Sequence, residues 1–142
     1  MILVVEDNPD HLELTLMALQ EDGRRSEIAV ARDGVEAISY LFGEGVHGGR
    51  DTTHQPDLVL LDLKLPKLTG LEVLQRMRGD PRTAAVPVVI LTSSGEEEDI
   101  AASYRSGANS FMRKPVDFGE FTEKLRQVQD YWLQVNQVKA SG

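Results

Sequence analysis

The chain has 142 residues, 41% hydrophobic and 27% charged, enough for one core of ordinary domain size. It contains no cysteine, which excludes a disulfide framework, a thiolate zinc site and a cysteine nucleophile. Fifteen basic against 23 acidic residues leave a net charge of −8, which disfavours direct nucleic-acid binding; no apolar run approaches bilayer length and the N-terminus lacks a secretory signal, so a soluble cytoplasmic protein without membrane contact is expected.

Three short aliphatic runs stand out in chain order: Ile2 to Val5, Leu58 to Leu61 and Val86 to Leu91. Each is nearly continuous, the pattern of strands buried on both faces. Glu27 to Ala31 and Ser110 to Met112 are weaker strand candidates. Helical patterns lie between them. Pro9 suits a first turn and is followed by Leu12, Leu16 and Leu19. Asp33-Gly34 opens a second helix with Val35, Ile38 and Leu41/Phe42 as its apolar stripe. A third follows Gly70, with Leu71, Leu74 and Met77. Glu96 to Asp99 fits the acidic first turn of a fourth, and the longest helix spans about 117–138. Strict alternation implies right-handed crossovers and a parallel α/β sheet covered on both faces, within one domain over 1–142. The long Gly-rich stretch 43–56 reads as a surface loop. Its Gly43-x-Gly45-x-x-Gly48 spacing follows a helix rather than a strand, the wrong context for a dinucleotide fingerprint.

In open parallel sheets ligands bind outside the carboxyl ends of the strands. The residues there are Glu6 and Asp7 after the first strand, Asp62 after the third, Thr92 and Ser93 after the fourth, and Lys114-Pro115 after the fifth. Any one of them has an ordinary explanation: Glu6 to Pro9 suits a helix cap, and an Asp or Thr after a strand is commonplace in a turn. Their joint placement at four strand ends points to a site. Three carboxylates together need compensation, which a hard divalent cation and the Lys114 ammonium supply. Mg²⁺ takes oxygen ligands of this kind. Asp62, held by an apolar strand, is the best nucleophile candidate, since carboxylates form acyl phosphates. The Thr92 hydroxyl is placed to donate to a transferred oxygen. His11, His47 and His54 have no ligand-like spacing.

The segments V-V-E-D-N at 4–8, L-L-D-L-K-L-P-K-L-T-G at 60–70, V-V-I-L-T-S at 88–93 and G-A-N-S-F-M-R-K-P at 107–115 resemble the receiver domain of two-component response regulators. The resemblance implies a flavodoxin-like (βα)5 doubly wound sheet of order 2-1-3-4-5. It implies Asp62 as phosphoacceptor from a sensor histidine kinase, Asp7 and the Lys64 backbone carbonyl as Mg²⁺ ligands, and Glu6 as an acidic partner acting through water on the metal. It implies Thr92 and Lys114 as the phosphoryl-contacting pair, Thr92 with Phe111 as the switch, and a cis Lys114–Pro115 bond. The cationic Lys64 side chain departs from what such a site needs and suggests an altered lifetime of the phosphorylated form. It also stands where a small Mg²⁺-dependent aspartyl-phosphate hydrolase, the alternative reading, would want a second acid.

Nothing basic or modular follows the domain, so output by protein contact from a stand-alone regulator is expected. Phe118, Phe121, Leu125, Val128, Trp132 and Val135 form a heptad-like stripe on the last helix. The first four are expected on the sheet, and Tyr131, Trp132 and Val135 at an interface, either a homodimer or the kinase. The 43–56 loop and the Tyr131-Trp132-Leu133 tail resemble the small regulators paired with phytochrome-type sensor kinases.

Overall fold

The computed structural model describes residues 1–21 and 27–135, the last by its backbone alone. Five strands, β1 (Ile2–Val5), β2 (Ile28–Ala31), β3 (Leu58–Leu61), β4 (Val88–Thr92) and β5 (Ser110–Arg113), form one parallel sheet. The strand order is β2-β1-β3-β4-β5, as the resemblance implied. The helices are α1 (Pro9–Leu19), α2 (Gly34–Phe42), α3 (Gly70–Arg78), α4 (Glu97–Arg105) and α5 (Phe118–Asp130). Among the described residues no helix is long and apolar enough to cross a membrane.

Burial follows strand position. Every residue of the three central strands β1, β3 and β4 is buried, whereas the edge strands β2 and β5 are mostly half-buried, which is why their sequences are mixed. Side chains alternate across the pleat. Leu3, Val5, Val59 and Leu61 pack with Ala37, Leu41 and Leu74 on the side of α2 and α3. Ile2, Val4, Leu58 and Leu60 pack with Leu12, Leu19, Phe121 and Leu125 on the side of α1 and α5. Each such side chain withdrawn from water contributes roughly 1.5–3 kcal/mol.

The element boundaries have local causes. Pro87 has no N–H for a ladder, so β4 begins at Val88 rather than Val86. Asn8 caps α1, its side chain accepting from the amides of Asp10 (2.9 Å) and His11 (3.1 Å). Asp33 and Asp117 cap α2 and α5, and Thr69 with Glu72 forms a capping box on α3. Two expected core residues are exposed, Val35 (48%) and Phe118 (38%). Both lie in the first turn of their helices, at the rim of the sheet; Ala37 takes the inward place on α2.

The 43–56 stretch is a stapled loop. Gly43 closes α2 in the left-handed region (φ 63°), and Gly45–His47 make a 3-10 turn. The Arg50 guanidinium stacks 4.0 Å over the Tyr40 ring and donates to the Tyr40 carbonyl at 2.7 Å, while Gln55 donates to the Leu41 carbonyl at 2.9 Å.

The last helix does not run on as a regular α-helix. Tyr131–Val135 form a π-helical turn, and residues 136–138 of the expected span lie outside the described residues. The wider turn brings the consecutive Trp132 and Leu133 against the α1/α5 core cluster. Trp132 therefore packs on its own core. Tyr131 is 48% exposed and meets Trp132 edge to face at 4.9 Å; the side chain of Val135 lies outside the described residues.

One close approach ties the fold to the site. A Cβ at Gly70 would lie 2.2 Å from the Asp62 carbonyl oxygen and 2.8 Å from Leu63 Cα. Gly70→Ala is expected to lower the unfolding free energy by about 1–3 kcal/mol, as overpacking does, read from the urea-denaturation midpoint.

Candidate functional site

Strand order reverses between β1 and β3, whose carboxyl ends lie side by side with Val5 opposite Leu61. The next residues, Glu6 and Asp62, are held by ladder-like bonds: Glu6 N–H donates to the Ala31 carbonyl at 3.0 Å and Asp62 N–H to the Val5 carbonyl at 3.1 Å. Because Asn8 caps α1, Glu6 and Asp7 are not consumed as caps. Carboxylate oxygens of Glu6, Asp7 and Asp62 come within 4.8 Å of one another; Glu6 (3% exposed) and Asp62 (8%) are buried and Asp7 is exposed.

Lys114 answers them. Its backbone N–H donates to the Thr92 carbonyl at 2.7 Å at the end of β4. Its buried ammonium donates to Glu6 Oε1 and, at 3.1 Å, to Asp62 Oδ2. The Lys64 amide donates to Asp62 Oδ1 at 3.3 Å, while the Lys64 residue is exposed at the mouth. Thr92 is buried, its hydroxyl oxygen 3.5 Å from the Ser94 amide. Glu6, Asp7, Asp62, Lys64 and Thr92 line an open cleft of about 600 Å³ together with His11 and Arg113, and the Lys114 ammonium is buried behind the two acids.

The two buried acids are pushed apart. Burial drives the Glu6 carboxyl up to about 7, with the Asp62 charge adding to it, against the hydrogen bond and charge of Lys114. Burial also pulls Asp62 upward, but the Lys114 charge, the hydrogen bonds from Glu6 and Lys114 and the Lys64 amide outweigh it, so Asp62 is held below the ordinary range. Asp62 is thus ionised at neutral pH and held by its backbone and side-chain bonds.

The structure brings Glu6, Asp7, Asp62, Lys64, Thr92 and Lys114 together as expected from their strand ends. Phe111 does not line the cleft; it is half-buried against the α2/α3 core cluster, opposite Ile90. Among the described residues no peptide bond is cis, so Lys114–Pro115 is trans, the form an X–Pro bond favours by about 0.5–1 kcal/mol. Two cleft residues escaped the sequence reading. His11 lies in the first turn of α1, with Nδ1 3.0 Å from Lys114 Nζ. Arg113 immediately precedes Lys114, and a Cβ on Gly95 would come within 2.9 Å of its guanidinium. The placement of His11 one turn above a strand-end acid was the signal available for it; its lack of a second histidine at ligand spacing hid it.

Residues 2–126 match the model of the response regulator receiver domain. The chain belongs to that family. This receiver is similar to the probable methanogenesis regulatory protein FilR2 of Methanothrix harundinacea, 40% identical over 93% of this chain and 83% of that protein. Among solved structures it is similar to the phosphorylated cyanobacterial phytochrome response regulator RcpA (34% identity, TM-score 0.89, 98% of this chain and 97% of that one). It is also similar to the bacteriophytochrome response regulator AtBRR (48% identity, TM-score 0.75, 96% of each chain).

Mg²⁺ is the cofactor of this receiver, and the residues present fit it: three converging carboxylates offer only hard oxygen donors. Since the cation needs Glu6 unprotonated or hydrated beside it, Mg²⁺ affinity is expected to rise as the pH climbs through about 7 and to level off above it. Calorimetric titration of the protein with Mg²⁺ across pH 6–8.5 checks this, and Glu6→Gln is expected to flatten the profile.

Proposed function

We propose that this receiver is a phosphoacceptor switch in which Asp62 takes a phosphoryl group from the phosphohistidine of a sensor histidine kinase. The observation that carries the reading is an ionised, buried Asp62 bonded to the Lys114 ammonium at the rim where strand order reverses. An Asp62 carboxylate oxygen attacks phosphorus as the P–N bond breaks, and the kinase imidazole leaves with a proton. Asp7, Asp62, the Lys64 carbonyl and Glu6 would hold Mg²⁺, which would supply neutralisation of charge on the transferred oxygens. Lys114 donates to one of those oxygens and the Thr92 hydroxyl to another.

Phosphorylation is read out by reorientation of Thr92 together with Phe111, which changes the surface around α4 and β5. The partner kinase is of phytochrome type, a reading supported by the likeness to RcpA and AtBRR. Output is by protein contact in the cytoplasm, without direct nucleic-acid binding, in keeping with the net charge of −8. The Lys64 side chain at the mouth tunes the lifetime of the phosphorylated form. A homodimer forms through the segment after α5, with Tyr131 as its exposed aromatic.

Acetyl phosphate with Mg²⁺ is expected to label the protein stoichiometrically, and Asp62→Asn to abolish the label. Rapid multiple turnover per chain would replace the switch by the hydrolase reading. For the dimer, sedimentation velocity over a concentration series is expected to show self-association weakened by Tyr131→Ala; a monomer throughout would remove it.

A further inference from the structure

A lysine ammonium has three N–H donors and no acceptor. In the cleft two of the three neighbours of Lys114 Nζ are carboxylates, Glu6 Oε1 and Asp62 Oδ2. The third is Nδ1 of His11 at 3.0 Å. The same ring nitrogen is 3.9 Å from Glu6 Oε1, beyond hydrogen-bond reach, so it addresses the lysine. An ammonium only donates; Nδ1 must therefore offer a lone pair, and the ring hydrogen sits on Nε2.

The ring is held where it can do this. His11 lies in the first turn of α1, its amide bonded to the capping Asn8 side chain at 3.1 Å. Its carbonyl accepts from the Thr15 hydroxyl at 2.8 Å. The side chain is 38% exposed, so it forms part of the cleft wall. Lys114, by contrast, is a point charge on a flexible four-carbon stem. Three acceptors give its ammonium one orientation, where two carboxylates alone would leave it to swing about the line between them.

We propose that His11 is a positioning residue for phosphoryl transfer. By accepting the third ammonium hydrogen it fixes Lys114 beside Asp62, so that the hydrogen now bonded to Asp62 Oδ2 is the one passed to a phosphoryl oxygen on its arrival, without a search by the lysine stem. This role rests on the reading of Asp62 as the phosphoacceptor.

The test uses the full chain, with initial labelling by acetyl phosphate in Mg²⁺ and, on the same protein without metal, long-range ¹H–¹⁵N NMR spectra of the imidazoles. His11→Asn places an amide oxygen near the position of Nδ1, and His11→Gln places it near that of Nε2; asparagine matches histidine in helix propensity and glutamine exceeds it, so neither variant costs α1 its first turn. His11→Ala and His11→Gln are expected to label about tenfold more slowly, the loss of one charge-assisted hydrogen bond, while His11→Asn recovers most of the rate. The wild-type His11 ring is expected as the single Nε2–H tautomer. Equal rates for the Ala, Asn and Gln variants and wild type, or a wild-type ring carrying its hydrogen on Nδ1, would overturn the positioning role alone. A wild-type chain that takes no label would overturn the phosphoacceptor reading and this role with it.

Discussion

Everything at the rim of the sheet is organised by one buried cation shared between two buried acids. Glu6, Asp62 and the side chain of Lys114 are all almost fully withdrawn from water. Two carboxylates at this distance do not both ionise freely, and one ammonium cannot neutralise both. The protein resolves the conflict by splitting the pair: Glu6 holds its proton to about pH 7, while Asp62 stays ionised. That split leaves an excess of acceptor oxygens with Asp7 at the open side, which is what a divalent cation needs, and leaves the negative charge on Asp62 at the centre.

The rest of the fold keeps these groups in place. β1 and β3 are buried along their whole length, so the two acids leave strands that have no freedom to shift. The loop after Asp62 is braced by close backbone approaches. Gly70 N–H donates to the Leu63 carbonyl at 2.9 Å, and a Cβ on Gly34 would lie 2.2 Å from the Leu68 carbonyl oxygen. Lys67, within the loop, holds φ at 71° and pairs with the Asp33 cap of α2 at 3.4 Å. A non-glycine residue in that region is strained and persists where its surroundings over-determine it. The loop after Asp62 is thus locked to the start of α2 as well as to α3.

Much of this was legible in the sequence, for reasons that particular residues make plain. Ile2 to Val5 and Leu58 to Leu61 read as buried strands because both faces are covered and no polar position interrupts them. The strand ends then gave the site acids directly, since a parallel sheet puts all its carboxyl ends on one edge. Val35 and Phe118 misled because apolar periodicity is blind to where a helix overhangs the sheet. Trp132 continues the stripe of Leu125 and Val128 and packs with them on the α1/α5 core cluster, so its aromatic ring is partly taken up by its own domain. His11 was missed because its place one turn beyond a strand-end acid is a weak local mark; its partner, Lys114, comes from the far end of the chain.

The same geometry constrains how a change at Asp62 travels. The hydroxyl of Thr92 lies within reach of the Ser94 amide, and the Ser94 hydroxyl donates in turn to Asp99 in the first turn of α4. Glu96, at the cap position of that helix, makes no side-chain cap bond, so Ser94 is the polar tie between this loop and the start of α4. Gly95 lies against the Arg113 side chain, whose guanidinium would sit 2.9 Å from a Cβ there, so the loop also touches the end of β5. In the proposed switch, a Thr92 hydroxyl turned toward a phosphoryl oxygen would withdraw the first contact in this series, on the side of the loop that leads to α4. Half-buried Phe111 on β5, opposite Ile90 of β4, lies against the α2/α3 core cluster rather than in the cleft.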